Sequence, residues 1–194
     1  DASSSCQGVV AETCQLSQAR GFRTGGTVHI VCNNQVGFTI SDPRDARSTP
    51  YCSDIARMVE APVFHVNGDD PEAVVFVTRL ALEYRQTFGK DVVIDLVCYR
   101  RHGHNEADEP AATQPVMYSV IRKHPTTRQL YARRLMELGV LDATEAEQMN
   151  EDYRQRVDAG QPLPQAALGM IGNEYTVDWS RYPKGDWEET RPTP

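Results

Sequence analysis

The sequence predicts an α/β fold around a parallel sheet, on three observations. Residues 27–33 (TVHIVCN), 62–66 (PVFHV) and 91–97 (DVVIDLV) are short apolar runs rich in β-branched residues. Segments with apolar residues at helical spacing precede, separate and follow them. The run DVVIDLV is almost unbroken, as expected of a parallel strand covered on both faces. Strands alternating with helices imply right-handed crossovers, and such sheets bind ligands beyond the carboxyl ends of their strands.

The elements follow in order. Residues 7–20 read as a helix, with Val9, Thr13 and Leu16 at helical spacing, Val10 and Cys14 beside them, and Gly21 as its cap. The strand 27–33 is bounded by Gly25-Gly26. A polar loop, 34–51, carries Gly37, Pro43 and Pro50, and a short helix is expected near 54–59. After the strand 62–66, Asp70 is a natural N-cap and Pro71 fits the first helical position. The helix that follows places Val74, Val77, Ala81, Tyr84 and Phe88 on one stripe and ends at Gly89. Beyond the third strand the pattern turns helical over 116–123, over 127–138 (closed by Gly139), and from Asp142 to about 159, with Glu145 placed for a capping box. Residues 160–194 are rich in Pro, Gly and Trp and lack periodicity. The expected organisation is therefore one domain over 1–159, then a connector over 160–194 leading to a further domain.

A chain of 194 residues suffices for one α/β domain with a sizeable core. Its net charge of −7 argues against a nucleic-acid surface and weakly against an anionic membrane. No apolar run approaches the roughly 20 residues of a membrane-spanning helix. The chain starts at Asp1 without an initiator Met or a signal-peptide pattern, and reads as a piece of something longer. Its cysteines, Cys6, Cys14, Cys32, Cys52 and Cys98, form no C-x-x-C pair and are odd in number. Buried free thiols in a reducing compartment, prokaryotic cytosol or mitochondrial matrix, are the ordinary reading.

Two loops leave strand ends with unusual chemistry. One is Asn33-Asn34-Gln35-Val36-Gly37. The other runs from Tyr99 through Arg100, Arg101, His102, Gly103 and His104 to Glu106. Asp1 precedes the first helix, and a helix N-terminus attracts phosphate. Mg²⁺ takes about six oxygen ligands, commonly few from protein and the rest from phosphates and water. A carboxylate, a carboxamide and a backbone carbonyl suit it, although Asp and Asn also favour turns for reasons of their own. Histidine exchanges protons near neutral pH, and arginine suits carboxylate or phosphate. Equally, His102 and His104 could serve only to order their loop. Glu106, Asp108 and Glu109 read as a capping or solvated cluster, and His29, His65 and His124 as structural histidines.

Asp1-Ala2, a helix, and a strand ending in Asn33-Asn34 together resemble the diphosphate-binding motif of thiamine diphosphate-dependent enzymes. In that motif Gly-Asp-Gly or Gly-Asp-Ala is followed about 30 residues later by Asn-Asn. Longer stretches resemble one family more narrowly: GTVHIVCNNQVGFTISDPRDARSTPYCS (26–53), NGDDPEAVVFVTRL (67–80) and DLVCYRRHGHNEADEPAATQ (95–114). They are similar to the decarboxylating components of 2-oxoglutarate dehydrogenases, closely over residues 7–138. The resemblance implies the thiamine diphosphate-binding fold, here the half that holds diphosphate and Mg²⁺.

On that resemblance Asp1, Asn34 and the Val36 carbonyl are expected to ligate Mg²⁺, and Ala2 and Ser3 to lie against the diphosphate. Residues 3–6 (SSSC) depart from the small residues, Phe and Gly usual there, which crowds the cofactor turn at Cys6. His104 first and His102 second are expected to border the cofactor and help pass the acyl group to a lipoyl arm. The loop with Asp45, Arg47, Ser48 and Thr49 is expected to frame the active-site funnel. The implied reaction is oxidative decarboxylation of 2-oxoglutarate with succinyl transfer to the lipoyl domain of the dihydrolipoyl succinyltransferase component, in the tricarboxylic acid cycle, by a homodimer. The fragment alone is expected to be inactive. The alternatives are another thiamine-dependent 2-oxo acid dehydrogenase or transketolase, a non-catalytic relic acting as an assembly module, and a plain nucleotide-binding domain.

Overall fold

A computed structural model describes residues 7–37, 40 and 42–161. The chain divides into two compact units, Asp1–Asp142 and Ala143–Pro194. The first holds helix α1 (Gly8–Leu16), strand β1 (Val28–Asn33), strand β2 (Val63–Asn67), helix α2 (Pro71–Phe88), strand β3 (Val92–Val97), helix α3 (Pro115–Ile121) and helix α4 (Thr127–Glu137). Short 3-10 helices at Pro43–Asp45, Cys52–Val59 and Pro110–Ala112 connect them. The described part of the second unit is helix α5 (Ala143–Asp158), which buries none of its residues within the unit.

The three strands form one sheet in the order β1-β3-β2, and both pairings are parallel. Ile94 of β3 stands level with Ile30 of β1 and Phe64 of β2. Alternation along β3 then sends Val92, Ile94 and Leu96 to one face and Val93 and Asp95 to the other. On the first face Val92 and Ile94 join Val66 and the fully buried Ala81, with Val74, Val77 and Tyr84 of α2 packed against them. On the second face Val93 joins Val31, Cys52 and Ala56.

The expected strands and the α2 stripe are present. Asp70 caps α2, its Oδ1 accepting from the Ala73 N–H at 3.1 Å, with Pro71 first in the helix. Gly89 closes α2 at a φ of 59°, a left-handed backbone that suits glycine. Phe88 departs from its expected inward role: it is 58% exposed and packs only its ring against Tyr84, centroids 4.8 Å apart. The first helix is shorter than expected. It stops at Leu16, because the Ser17 hydroxyl donates to the Cys14 carbonyl at 2.8 Å and the chain then tightens into i→i−3 turns (Ala19 to Leu16, Phe22 to Ala19). Its inward residues are Val10, Cys14 and Ser17 rather than Val9, Thr13 and Leu16. The helix expected near 54–59 is a 3-10 helix that begins at Cys52, its start held by the Tyr51 N–H donating to Asp54 Oδ2 at 3.0 Å.

Gly26 fixes where β1 begins. Its φ is +86°, and a Cβ there would stand 2.5 Å from the Lys90 carbonyl oxygen, so the chain can enter the sheet beside β3 only without a side chain. Several apolar side chains stay exposed in this unit, Phe76 and Val116 among them. Truncation of Ile94 to alanine empties the centre of the sheet and is expected to lower stability by about 2–5 kcal/mol, read as a fall in the denaturant midpoint at unchanged slope.

Candidate functional site

The three strand ends are level: Asn33, Val97 and Asn67 lie side by side at the carboxyl edge. Both flanking asparagines close their strands in the same way. Asn33 Oδ1 accepts from the Gln35 N–H at 3.2 Å, and Asn67 Oδ1 accepts from the Asp69 N–H at 3.0 Å. These Asx turns let the backbone leave the sheet with its first donors satisfied. Asn34 repeats the device, its Oδ1 accepting from the Val36 N–H at 3.1 Å. Gln35 between them is left-handed (φ 64°), and its side-chain amide donates to the Cys98 carbonyl at 2.8 Å, tying this turn to the end of β3. Val36 is buried against Tyr118 and Ile121 of α3.

A cleft of about 580 Å³ opens over this edge, lined by Asn34, Gln35, Asn67, Asp69, Cys98, Tyr99 and apolar residues of α3. Burial first, then the neighbouring Cys32 and Asp95, push the Cys98 thiol up and keep it protonated near neutral pH. The far wall is a hydrogen-bonded clamp. Asp69 accepts from the Thr127 hydroxyl at 2.8 Å and pairs with His124 Nε2 at 2.7 Å. Arg101 reaches across to the Tyr99 hydroxyl at 3.1 Å and the His124 carbonyl at 2.5 Å, and the Tyr99 hydroxyl donates to the Pro125 carbonyl at 3.1 Å. Arg101 thus secures the turn between α3 and α4. His124 holds that turn to Asp69, the structural part the sequence reading gives it.

The histidine loop lines a neighbouring cleft of about 590 Å³, whose walls include Arg101, His102, Gly103, Glu109 and Arg122. His102 and His104 are both exposed. The His104 N–H donates to Asp108 Oδ2 at 2.7 Å, and Arg100 lies 4.0 Å from the same oxygen. The acidic run does the capping expected of it: besides Asp108, Glu109 Oε1 accepts from the Ala111 N–H at 2.9 Å. Asn34 and His102 therefore face two adjoining clefts, and His104 lies on the rim of the histidine loop. Asp1, Ala2, Ser3 and the departure at 3–6 lie outside the described residues. So does nearly all of the expected connector.

Sequence reasoning missed Asp69 and Asp95. Asp95 is fully buried in the middle of β3, with its Oδ2 on His65 Nδ1 at 2.8 Å. A lone acid inside DVVIDLV is a visible signal, but its partner emerges only from the register that sets His65 opposite it. Asp69 reads as turn punctuation until α3 and α4 fold back over it.

Residues 1–165 match the family described as Dehydrogenase E1 component. The chain belongs to that family. Among similar proteins, the 2-oxoglutarate dehydrogenase E1 component of Azotobacter vinelandii is 58% identical over 93% of this chain. Its namesake from Coxiella burnetii is 57% identical over 96%, and that from Cupriavidus necator 50% identical over the whole chain. The chain spans about a fifth of the length of these relatives (19%, 20% and 20% in the same order). The parallel sheet and its helices fit an E1 component's cofactor-binding fold. No helix among the described residues is long and apolar enough to cross a membrane.

In this E1 family member, the histidine loop depends on Gly103. A Cβ there would stand 2.1 Å from the Asp108 carbonyl oxygen. Gly103→Ala is expected to open the loop, seen as faster amide exchange and protease cleavage over 102–108, with exchange in β1 and β2 unchanged.

Proposed function

We propose that this chain is part of the decarboxylating component of a 2-oxoglutarate dehydrogenase, and that it holds the Mg²⁺ and diphosphate of thiamine diphosphate. The observation that carries the reading is the Asn34-Gln35-Val36 turn at the carboxyl end of β1. There a half-buried carboxamide and a backbone carbonyl follow a strand end in a parallel sheet, beside an open cleft. The names of the relatives support the substrate, 2-oxoglutarate; the reading extends to a succinyltransferase component with its lipoyl domain as partner.

The residues present suit the group. Amide and carbonyl oxygens are the hard donors Mg²⁺ prefers. The Asx turn holds the Asn34 side chain in one orientation, which lowers the ordering cost of ligation. Asn34 and the Val36 carbonyl would hold the ion, together with Asp1, while Ala2 and Ser3 would face the diphosphate. When bound, the cofactor supplies the electron sink for decarboxylation.

The chain's own residues then bind and orient. The left-handed Gln35 turn sets the height of Asn34 above the sheet. The clamp of Asp69, His124, Tyr99 and Arg101 keeps α3 over Val36, so the ligand turn packs against a fixed wall. To His104, and second to His102, this reading gives the proton movement of acyl transfer; in its support, the His104 backbone is fixed by Asp108.

Titration of the full-length protein with thiamine diphosphate and Mg²⁺ by calorimetry tests the anchor. Asn34→Ala is expected to lose roughly 2 kcal/mol, about 30-fold in affinity. Binding indifferent to that change would favour a relic that no longer uses the motif. For the histidines, His104→Ala is expected to slow lipoyl-dependent succinyl transfer by about 10²–10⁴-fold, and His102→Ala by less. Decarboxylation measured with an artificial acceptor should fall less in both. Equal losses in the two assays would assign the histidines to loop order instead.

A further inference from the structure

The amino-terminal edge of the sheet carries a cluster that the cofactor site does not use. Cys14 points inward from α1, His29 is the second residue of β1, and Asp91 immediately precedes β3. One ligand atom of each, the Cys14 sulfur, a His29 ring nitrogen and an Asp91 carboxylate oxygen, lies within 4.8 Å of the other two. His29 Nε2 and Asp91 Oδ2 are 2.9 Å apart. That is slightly less than the edge of about 3.3 Å for a tetrahedron with metal–ligand bonds of about 2.0 Å. Asp91 is buried, and its other oxygen accepts from the Thr27 N–H at 3.1 Å. The backbone of the neighbouring strand thus orients the carboxylate and turns Oδ2 towards the cluster, the outer-shell support typical of metal ligands.

The three groups border a cavity of about 180 Å³ whose remaining wall is mostly apolar, with Val10, Val31, Ala56 and Val59. A simple His29–Asp91 ion pair accounts for two of the groups. It leaves unexplained a thiol within ligand reach of both, in a hollow with room for water. Burial, then the charge of Asp91, push the Cys14 thiol up, so an empty site is unfavourable for the thiolate. A divalent ion reverses this: one thiolate, one carboxylate and a neutral imidazole balance its charge. The mixture of sulfur, nitrogen and oxygen suits Zn²⁺ and disfavours Mg²⁺ and Ca²⁺, which take oxygen.

We propose that Cys14, His29 and Asp91 form a Zn²⁺ site that clamps α1 to the starts of β1 and β3, with a fourth position open to water in the cavity. Three protein ligands with one open position make an exchangeable site rather than a closed structural one. Zn²⁺ binding should therefore stabilise this edge reversibly, at the end of the strands opposite Asn34.

The test is a Co²⁺ titration of the full-length protein in saturating Mg²⁺, followed by optical absorption. The readout is independent of decarboxylation. One equivalent of Co²⁺ should produce a thiolate charge-transfer band and tetrahedral visible bands that Zn²⁺ abolishes. Cys14→Ser should lose the charge-transfer band, and His29→Gln should weaken Co²⁺ at least tenfold. Zn²⁺ should raise the melting temperature of the parent protein and not of Cys14→Ser. His29 is only partly buried, so His29→Gln keeps the test sound if Cys14→Ser fails to fold. Absence of a charge-transfer band in the parent protein, its persistence in Cys14→Ser, or unchanged Co²⁺ affinity in His29→Gln would each overturn the site.

Discussion

Strand β3 has to satisfy its backbone on both sides at once, and the rest of the first unit follows from that. It pairs with β1 on one side and β2 on the other, in parallel and in level register. Helix α2 carries the chain from the end of β2 back to the start of β3, the crossover a parallel neighbour requires. Parallel pairing turns all three carboxyl ends to one edge. It therefore collects Asn33, Asn34 and Asn67 there, although they come from segments far apart in the chain. A strand sandwiched between two partners and two packed faces also has to be apolar along nearly its whole length, and Val92, Val93 and Ile94 are buried accordingly.

Against that apolar rule the sheet face opposite α2 carries two acid–histidine pairs, His29–Asp91 and His65–Asp95. Burying a carboxylate is unfavourable unless hydrogen bonds replace its water. Asp91 meets that condition with both oxygens engaged. Asp95 meets it with one; its Oδ1 is buried without a hydrogen-bond partner among the described residues. Tyr51 stacks at a tilt on His65, centroids 4.8 Å apart, and His65 stays exposed while Asp95 is buried. The same face thus carries one acid–histidine pair at the start of β3 and one in its middle. The two places differ in what lies beside them, a thiol and a small cavity at one, and the buried Cys52 at the other.

The carboxyl edge of the sheet is built differently, from turns rather than acid–histidine pairs. Three Asx turns (Asn33, Asn34 and Asn67) fix the exits of β1 and β2, and α3 packs on Val36 to hold the first exit down. A site of this kind is rigid because its backbone donors are satisfied locally, before any ligand arrives. The histidine loop gains its order from carboxylate caps and from one position where only glycine fits.

The sequence by itself determined the elements whose signals are local. The β-branched runs became the strands, Asp70-Pro71 started α2 and Gly89 ended it, and the acidic run after His104 capped its own loop. Caps, turns and periodicity act over a few residues, so they can be read without knowing what packs where. The Asn34 turn was legible for the same reason, and the family resemblance is what suggests a ligand role for it. Tertiary structure alone decided which residues meet. It truncated α1 at Ser17, turned Cys14 rather than Leu16 inward, set His65 opposite Asp95, and brought Asp69 under His124. These outcomes depend on strand register and on helices returning over the sheet, which are contacts between distant segments that no local pattern encodes.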